Sequence, residues 1–389
     1  MEHSTALPLS QAFARDGVVE LSIGQPDPGL LPSVALADAA TSALRQYGSD
    51  ALDYGAPAGP GPLVEWLRGH LGRIDQRVPD DSELMVTAGN SHALDLAATM
   101  FTRGGDVALV EVPTYHLAMG ILHDHDLEIV GVETDDDGLR LDALADTIER
   151  LHSADRRVTL LYIVPTFGNP TGRTMPVERR REIAALARQH NLVVVEDDVY
   201  RELAFEGVPP PSIGAVDPGA PVLRLGSFSK TLAPGLRLGW LTGPASLVRR
   251  VINGGLLMSG GGLNPLIGLT VAEFAAAGAY ERNVENLRRI YRARRDVLVA
   301  ALRAAIPEAR FATPTGGYFV WLRLPGDIDA SKLLAAADSR GVTYTPGALF
   351  DVSGSLDRSW LRLAFTRYAE DELALGARRL GSVVHSRMP

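Results

Sequence analysis

One lysine stands among small hydroxyl residues in Gly226-Ser227-Phe228-Ser229-Lys230-Thr231, and Arg237 follows seven positions later. A lysine that attacks an aldehyde must first shed its proton, and a nearby positive charge or a dry pocket lowers its pKa. A phosphorylated aldehyde cofactor also needs anchors. The hydroxyls of Ser227 and Ser229 and the planar guanidinium of Arg237 can supply them. Alone, the stretch reads equally well as a surface loop with an ordinary lysine. The other motifs decide between the two.

Val195-Glu196-Asp197-Asp198-Val199-Tyr200 ends an apolar strand in carboxylates. Such a cluster at a buried strand end repels itself unless a cation sits there. A metal is one candidate, but no histidine or further aspartate stands nearby in the sequence. A protonated pyridine nitrogen is a better one. Asp197 would hold that proton and keep the ring an electron sink, while Tyr200 reaches a ring hydroxyl.

Four more stretches join the set. In Pro165-Thr166-Phe167-Gly168-Asn169-Pro170-Thr171-Gly172, turn residues fix the direction of Asn169, whose amide can bond a ring hydroxyl or a carboxylate. Thr87-Ala88-Gly89-Asn90-Ser91-His92 joins a strand to a helix. Free N–H groups at a helix start bind phosphate, and Gly89 admits a close approach. A plain N-cap by Asn90 or Ser91 would explain the same residues. Tyr115, after Pro113 and Thr114, can stack on a planar ring or fill the core. Arg362, inside the alternating run Trp360–Phe365, needs an anion, either a substrate carboxylate or a structural acid. By contrast, His123-Asp124-His125-Asp126 lies between a helix and a strand and reads as a solvated turn. No metal site is expected.

These residues must be positioned by regular elements, and the pattern supplies them. Residues 1–33 read as an irregular arm with a turn in the segment Leu21–Gly29. Val34–Tyr47 and Leu63–Ile74 have helical spacing. From Glu83, short apolar runs alternate with helical stretches. Strands are expected at Glu83–Ala88, Val107–Val110, Leu127–Val132, Val158–Val164, Leu192–Glu196 and Val222–Leu225. Helices are expected at Ser91–Phe101, Tyr115–His123, Leu141–Leu151 and Val177–Gln189. That alternation implies a largely parallel sheet covered on both faces, with ligands at the carboxyl ends of its strands. Further helices are expected at Ala245–Leu257 and Pro265–Ala277, and a long charged one at Tyr280–Ile306. Tyr318–Leu324, a helix near Lys332–Arg340, Trp360–Phe365 and a last helix from Glu370 suggest a smaller α+β unit.

The 389 residues, 46% hydrophobic and 22% charged, suffice for a large core and two domains. A net charge of −9 lacks the basic footprint of a nucleic-acid binder. With no cysteine there is no disulfide frame, thiolate chemistry or Cys-based metal site. No apolar run approaches the ~18 residues of a membrane helix, and Met1–Thr5 shows no signal peptide. A soluble cytoplasmic protein is the expectation.

Together, Asn169-Pro170-Thr171-Gly172, Asp197 with Tyr200, and Ser227-Phe228-Ser229-Lys230 with Arg237 resemble the fold-type-I pyridoxal-phosphate enzymes. They are similar in particular to class I/II aminotransferases of the α-aminoadipate and kynurenine branch. The resemblance spans Leu21 to Leu380. It implies an α/β fold with a large, mostly parallel seven-stranded sheet domain and a small α+β domain. Residues 1–48 would form the arm and part of the small domain, 49–285 the large domain and 286–389 the C-terminal small domain. The implied cofactor is pyridoxal 5′-phosphate, carried by Lys230 as a Schiff base, with Lys230 later moving the proton. Asp197 would pair with the pyridine nitrogen, Asn169 and Tyr200 with the ring hydroxyl, and Tyr115 with the ring face. Gly89, Asn90, Ser91, Ser227, Ser229 and Arg237 would hold the phosphate, with Tyr54 lent by the partner of a homodimer. Gly24, Asn169 and Arg362 match the α-carboxylate site.

The implied reaction moves an amino group from an L-amino acid to a 2-oxo acid. The alternative is a lyase, decarboxylase or cyclase on the same scaffold. Some transcription regulators also carry this domain behind a DNA-binding segment; a start of resemblance near Leu21 and an acidic charge speak against that here. The chain departs from the usual family pattern in two places. His92 is expected near the phosphate or as a helix cap. The glycines of 253–264 suggest a mobile loop or a close backbone approach. The arm after Gly24 offers no arginine for a second carboxylate, which favours an apolar or neutral donor.

Overall fold

A computed structural model describes residues 14–260 and 262–387. The chain enters through strand β1 (Val19–Glu20) and helices α1 (Ser33–Tyr47) and α2 (Gly61–Asp75). Next come β2 (Leu84–Thr87), α3 (Asn90–Phe101), β3 (Val107–Val112), α4 (His116–His123), β4 (Glu128–Asp135) and β5 (Gly138–Leu139). The series continues with α5 (Leu141–Ser153), β6 (Val158–Ile163), α6 (Val177–His190), β7 (Val193–Asp197), α7 (Ile213–Val216), β8 (Val222–Ser227) and β9 (Gly239–Thr242). Four helices follow: α8 (Ala245–Ile252), α9 (Gly255–Gly260), α10 (Pro265–Ala276) and α11 (Ala279–Ala305). The last part holds β10 (Phe319–Arg323), α12 (Ala330–Ser339), β11 (Val342–Thr343), β12 (Thr345–Pro346), β13 (Trp360–Ala364) and α13 (Glu370–His385).

Among the described residues the main sheet has eight strands in the order β2-β9-β8-β7-β6-β3-β4-β5. β3, β4, β6, β7 and β8 pair in parallel, and β9 runs against both β8 and β2. Strands buried on both faces read as unbroken apolar runs, as in Val193-Val194-Val195. Two differences from the sequence reading stand out. β9 was not expected, because Gly239–Thr242 carries a glycine and too few residues for a clear period. The sheet has eight strands rather than seven, because the tight Asp136-Asp137 turn folds Gly138–Leu139 back on β4 as a two-residue edge.

A second, three-stranded antiparallel sheet orders β10-β13-β12. The arm joins this end of the molecule. β1 pairs with β11, Val19 opposite Val342 and Glu20 opposite Thr343. Ala364 N–H donates to Leu21 O at 2.7 Å. One continuous apolar cluster runs from Leu21, Phe319 and Phe365 to Leu160, Leu225 and Leu241 of the main sheet. Arm, second sheet and main sheet thus meet where the parallel strands end.

The glycine-rich segment departs from a loop. The expected helix Ala245–Leu257 breaks at Asn253-Gly254, and Gly255–Gly260 forms a short helix of its own. Leu257 anchors that helix in the core, while Leu256 and Met258 stay exposed. The close backbone approach is present at Gly262, where a Cβ would clash with Ala56 O.

Candidate active site

β2, β3, β6, β7 and β8 end at the same edge of the main sheet. Their following loops carry Gly89-Asn90, Tyr115, Asn169, Asp197–Tyr200 and Ser227–Lys230. Parallel strands bring these residues together although they are far apart in sequence.

Lys230 is one of only two lysines in the chain; the other, Lys332, is exposed on α12. The Lys230 amine donates to Gly24 O at 2.9 Å. Burial, and then the charges of Arg362 and Arg237, lower its pKa to about 8 against the pull of Asp197. An amine in that range loses its proton near neutrality, as a nucleophile must.

Asp197 closes β7 with only 7% of its surface exposed. Its Oδ1 accepts from the Asn90 amide at 2.7 Å and its Oδ2 from the Tyr162 hydroxyl at 2.7 Å. Burial raises its pKa to about 6, and the two donors hold it from rising further. Strand alternation sends its neighbours to the opposite face. There Glu196 pairs with Arg180 at 3.3 Å, and Asp198 binds both Arg201 and Arg224. The repulsion expected among three adjacent acids is thereby offset: two are paired with arginines behind the sheet, and only Asp197 faces the site.

At the start of α3, Gly89 has a φ of +83°, and a Cβ there would come within 3.0 Å of Arg237 Nη2. The first-turn N–H groups of a helix have no intrahelical partner and favour an anion. Arg237, itself at a φ of +45°, brings its guanidinium beside this turn. Ser227 Oγ accepts from Ser229 N at 3.0 Å, which leaves its proton free to donate. Ser91 is exposed at the helix start. The Asn90 side chain points instead to Asp197, so its part in anion binding falls to its backbone. His92 Nδ1 accepts from Ala88 N at 3.4 Å, just ahead of the helix, whose N-cap Gly89 has no side-chain cap.

Arg362, on β13, is buried and held by three partners. It donates to Asn169 Oδ1 at 2.9 Å, Ser22 O at 2.8 Å and Thr345 Oγ1 at 3.1 Å. Its guanidinium lies 4.2 Å from the Phe319 ring centroid and 5.1 Å from that of Phe350. Burial lowers its pKa to about 10. No carboxylate side chain pairs with it among these contacts, and its Nε is buried without a partner. A guanidinium fixed in that way is prepared for an external anion. Gly24 lies against it: a Cβ at Gly24 would meet Phe319 at 2.8 Å and Arg362 Nη2 at 3.8 Å.

Tyr115 caps α4, and burial raises its phenol to about 12, with Asp197 adding to the rise. Burial likewise pushes Tyr200 far above its ordinary value. Tyr54 stands apart, 83% exposed in the single chain. The histidine–aspartate turn is tied up locally, with His125 Nε2 2.8 Å from Asp95 Oδ1. The sequence reading missed Tyr162 and Phe319. Tyr162 was legible as the one polar tip in the apolar run Leu160-Leu161-Tyr162-Ile163. Phe319 carried no such signal.

The site fits pyridoxal phosphate. It offers an amine of lowered pKa, a buried carboxylate held by neutral donors, an open helix start beside an arginine, and an orphan Asn90 Oδ1 between them.

Residues 16–380 match the family described as Aminotransferase class I and II. The aromatic-amino-acid aminotransferase 1 of Thermococcus litoralis is 31% identical, covering 100% of this chain and 93% of the relative. The solved kynurenine aminotransferase of Pyrococcus horikoshii, in complex with PMP, superposes with a TM-score of 0.89 at 32% identity, covering 96% of this chain and 92% of that one. The α-aminoadipate aminotransferase of Thermus thermophilus, complexed with N-(5′-phosphopyridoxyl)-L-leucine, has a TM-score of 0.84 at 31% identity, covering 95% and 93%.

Proposed function

This chain belongs to the class I and II aminotransferases and uses pyridoxal phosphate to move amino groups, and we propose that Lys230 is the amine that binds the cofactor and moves the proton. The observation that carries this reading is the buried Lys230 amine with its pKa near 8, between Gly24 O and the charges of Asp197 and Arg362. When bound, the cofactor supplies an electron sink that acidifies the substrate's α-C–H bond.

The chain's own residues do the rest. Asp197, oriented by Tyr162 and Asn90, would accept the ring N–H. Tyr200 and the Asn169 amide would bond the ring hydroxyl, and Tyr115 would cover the ring face. The backbone of Gly89, Asn90 and Ser91, the hydroxyls of Ser227 and Ser229, and Arg237 hold the phosphate. Arg362, with Asn169 and the backbone at Gly24, docks the substrate carboxylate. Lys230 Nζ would hold and move the α-proton.

The donor is an L-amino acid with an apolar or neutral side chain, and the acceptor a 2-oxo acid. The arm residues after Gly24 carry one acid, Asp27, already paired with Arg294 at 2.7 Å, and no arginine. Of the relatives' named substrates, aromatic amino acids and kynurenine accord with this, whereas α-aminoadipate, a dicarboxylic donor, does not. We assign 49–285 to a large domain and 1–48 with 286–389 to a small one, and the working unit to a homodimer in which exposed Tyr54 reaches the partner's phosphate. A cytoplasmic location belongs to the same reading.

Separate half-reactions test it. A suitable amino acid should convert the yellow protein to the pyridoxamine form, and a 2-oxo acid should restore the colour and release a new amino acid. Ammonia or carbon dioxide without the pyridoxamine form, across a broad donor panel, would sink the reading.

A further inference from the structure

Lys230 lies in a turn. Residues 228–232 leave β8 before the short 3-10 segment Pro234–Leu236, so neither a strand ladder nor a helix holds the lysine's backbone. The turn is closed by Leu232 N–H and Ala233 N–H donating to Phe228 O at 2.8 and 3.0 Å, and side chains from elsewhere brace it. Tyr318 donates its hydroxyl proton to Lys230 O at 2.9 Å. Asn283, on α11, donates to Thr231 O at 2.7 Å. The Thr231 hydroxyl lies 2.8 Å from that of Tyr280, at the start of α11, and Tyr280 donates to Glu202 Oε1 at 2.8 Å. Glu202 Oε2 is 2.9 Å from His70 Nε2 on α2.

The direction of these bonds follows from charge. Burial pushes the Glu202 carboxyl up, but His70 and Tyr280 outweigh it and leave the group below its usual range. An ionised carboxylate only accepts. Tyr280's single proton therefore goes to Glu202, its oxygen is left to accept, and Thr231 must donate. His70 packs beside the chain, its ring stacked on Trp66 at 4.5 Å and edge-on to Tyr280 at 5.4 Å, while its Nε2 makes no hydrogen bond of its own. Tyr280 is buried. The Thr231–Tyr280–Glu202 links are buried hydrogen bonds, which stiffens them.

We propose that Tyr280 is a positioning residue for Lys230: acting through Thr231, and held by Glu202 and His70, it keeps the turn in the conformation that aims the lysine amine into the site. The proposal rests on Lys230 being the reactive amine. Reactive groups tolerate little misplacement, a shift of about 1 Å costing on the order of a hundredfold in rate. None of the four relay side chains is among the amine's own neighbours. Those are Gly24 O, the rings of Tyr200 and Tyr318, and the charges of Asp197, Arg362 and Arg237.

The test compares Tyr280→Phe, Thr231→Val, the double variant and Thr231→Ser in the full-length protein. Lys230 and Lys332 are the only lysines. Acylation of the cofactor-free protein with a small neutral reagent, followed by peptide mapping, therefore reports both amines against pH, with exposed Lys332 as internal reference. The Lys230 midpoint, near 8 in the parent protein, should rise by roughly half a unit or more in each single variant as the loosened turn admits water. In the holoenzyme, kcat should fall on the order of tenfold with KM nearly constant. The double variant should be no worse than Tyr280→Phe, because both singles lose the Thr231–Tyr280 bond and Tyr280→Phe loses the bond to Glu202 as well, and Thr231→Ser should match the parent. An unchanged Lys230 midpoint, or single effects that add in the double variant, overturns the proposal. If borohydride fails to trap the cofactor on Lys230 in the holoenzyme, the assignment of the reactive amine falls instead, independently of the acylation result.

Discussion

The Tyr162 hydroxyl donates to Asp197 Oδ2 at 2.7 Å, while the Asn90 amide takes Oδ1 at the same distance. Both oxygens of the acid are oriented by neutral donors, which fix a carboxylate without cancelling its charge. The arginines that pair with this strand end lie behind the sheet, on Glu196 and Asp198.

This arrangement makes the cofactor-free protein sensitive to pH. Folding raises the Asp197 pKa from 3.8 to about 6. The folded chain then holds a proton that the unfolded chain releases. The group's contribution is fully present below about pH 4 and is lost as pH rises through about 6. Asp197→Asn, in cofactor-free form, should be more stable than the parent at pH 7–8, by at most ~3 kcal/mol. The two should converge near pH 4. Its turnover should fall steeply with the cofactor still bound. Thermal melts across this range, with kinetics at pH 8, read both parts; a variant gaining stability only in acid would contradict the sign.

Lys230→Ala should lose the yellow form, borohydride trapping and nearly all turnover. Absorbance and peptide mapping decide this cleanly, because only Lys332 remains as an amine side chain. A trapped label on Lys332 would move the chemistry elsewhere.

Arg362→Ala should raise KM for amino acids by tens-fold or more, since losing one partner of a buried charge pair costs about 2–5 kcal/mol. The resting spectrum should not change. Steady-state kinetics with amino acids and with amines lacking a carboxylate separate the outcomes: equal activity on both would remove Arg362 from the site.

Two glycines of the 253–264 segment should respond in opposite ways. Gly262 has a φ of +90° and a Cβ there would strike Ala56 O, whereas nothing lies within 4 Å of a Cβ at Gly260. Gly262→Ala should lower the melting temperature, with left-handed strain alone costing about 1–2 kcal/mol. It should also loosen the neighbouring 54–57 loop. Gly260→Ala should be neutral or slightly stabilising, as alanine favours a helix by roughly 0.5–1 kcal/mol over glycine. Equal effects at both positions, measured by calorimetry, would show that the backbone approach at Gly262 is unimportant.

Much of the fold was legible because apolar period and punctuation are local. Val193-Val194-Val195 announces a buried strand, and Gly89-Asn90 a helix start, without reference to the rest of the chain. β9 escaped because four residues with a leading glycine carry too little pattern. The break between α8 and α9 escaped because the apolar residues on either side of Asn253-Gly254 keep helical spacing across it.

The amino-acid sequence alone determined which residue types stand at the strand ends, in what order, and hence the cofactor chemistry they can serve. Partners were decided only by tertiary structure. Gly24 O meets the Lys230 amine across 206 residues, and Ser22 O meets Arg362 across 340. Both contacts exist because the arm pairs with the C-terminal part through Val19–Val342 and Leu21–Ala364. Likewise, Glu196, Asp197 and Asp198 look equivalent in sequence. Only burial, and the arginines that pack behind the sheet, divide them into two paired acids and one that faces the site. Local propensity acts over a few residues, but the charge and hydration of a buried group depend on whatever packing brings within a few ångströms of it.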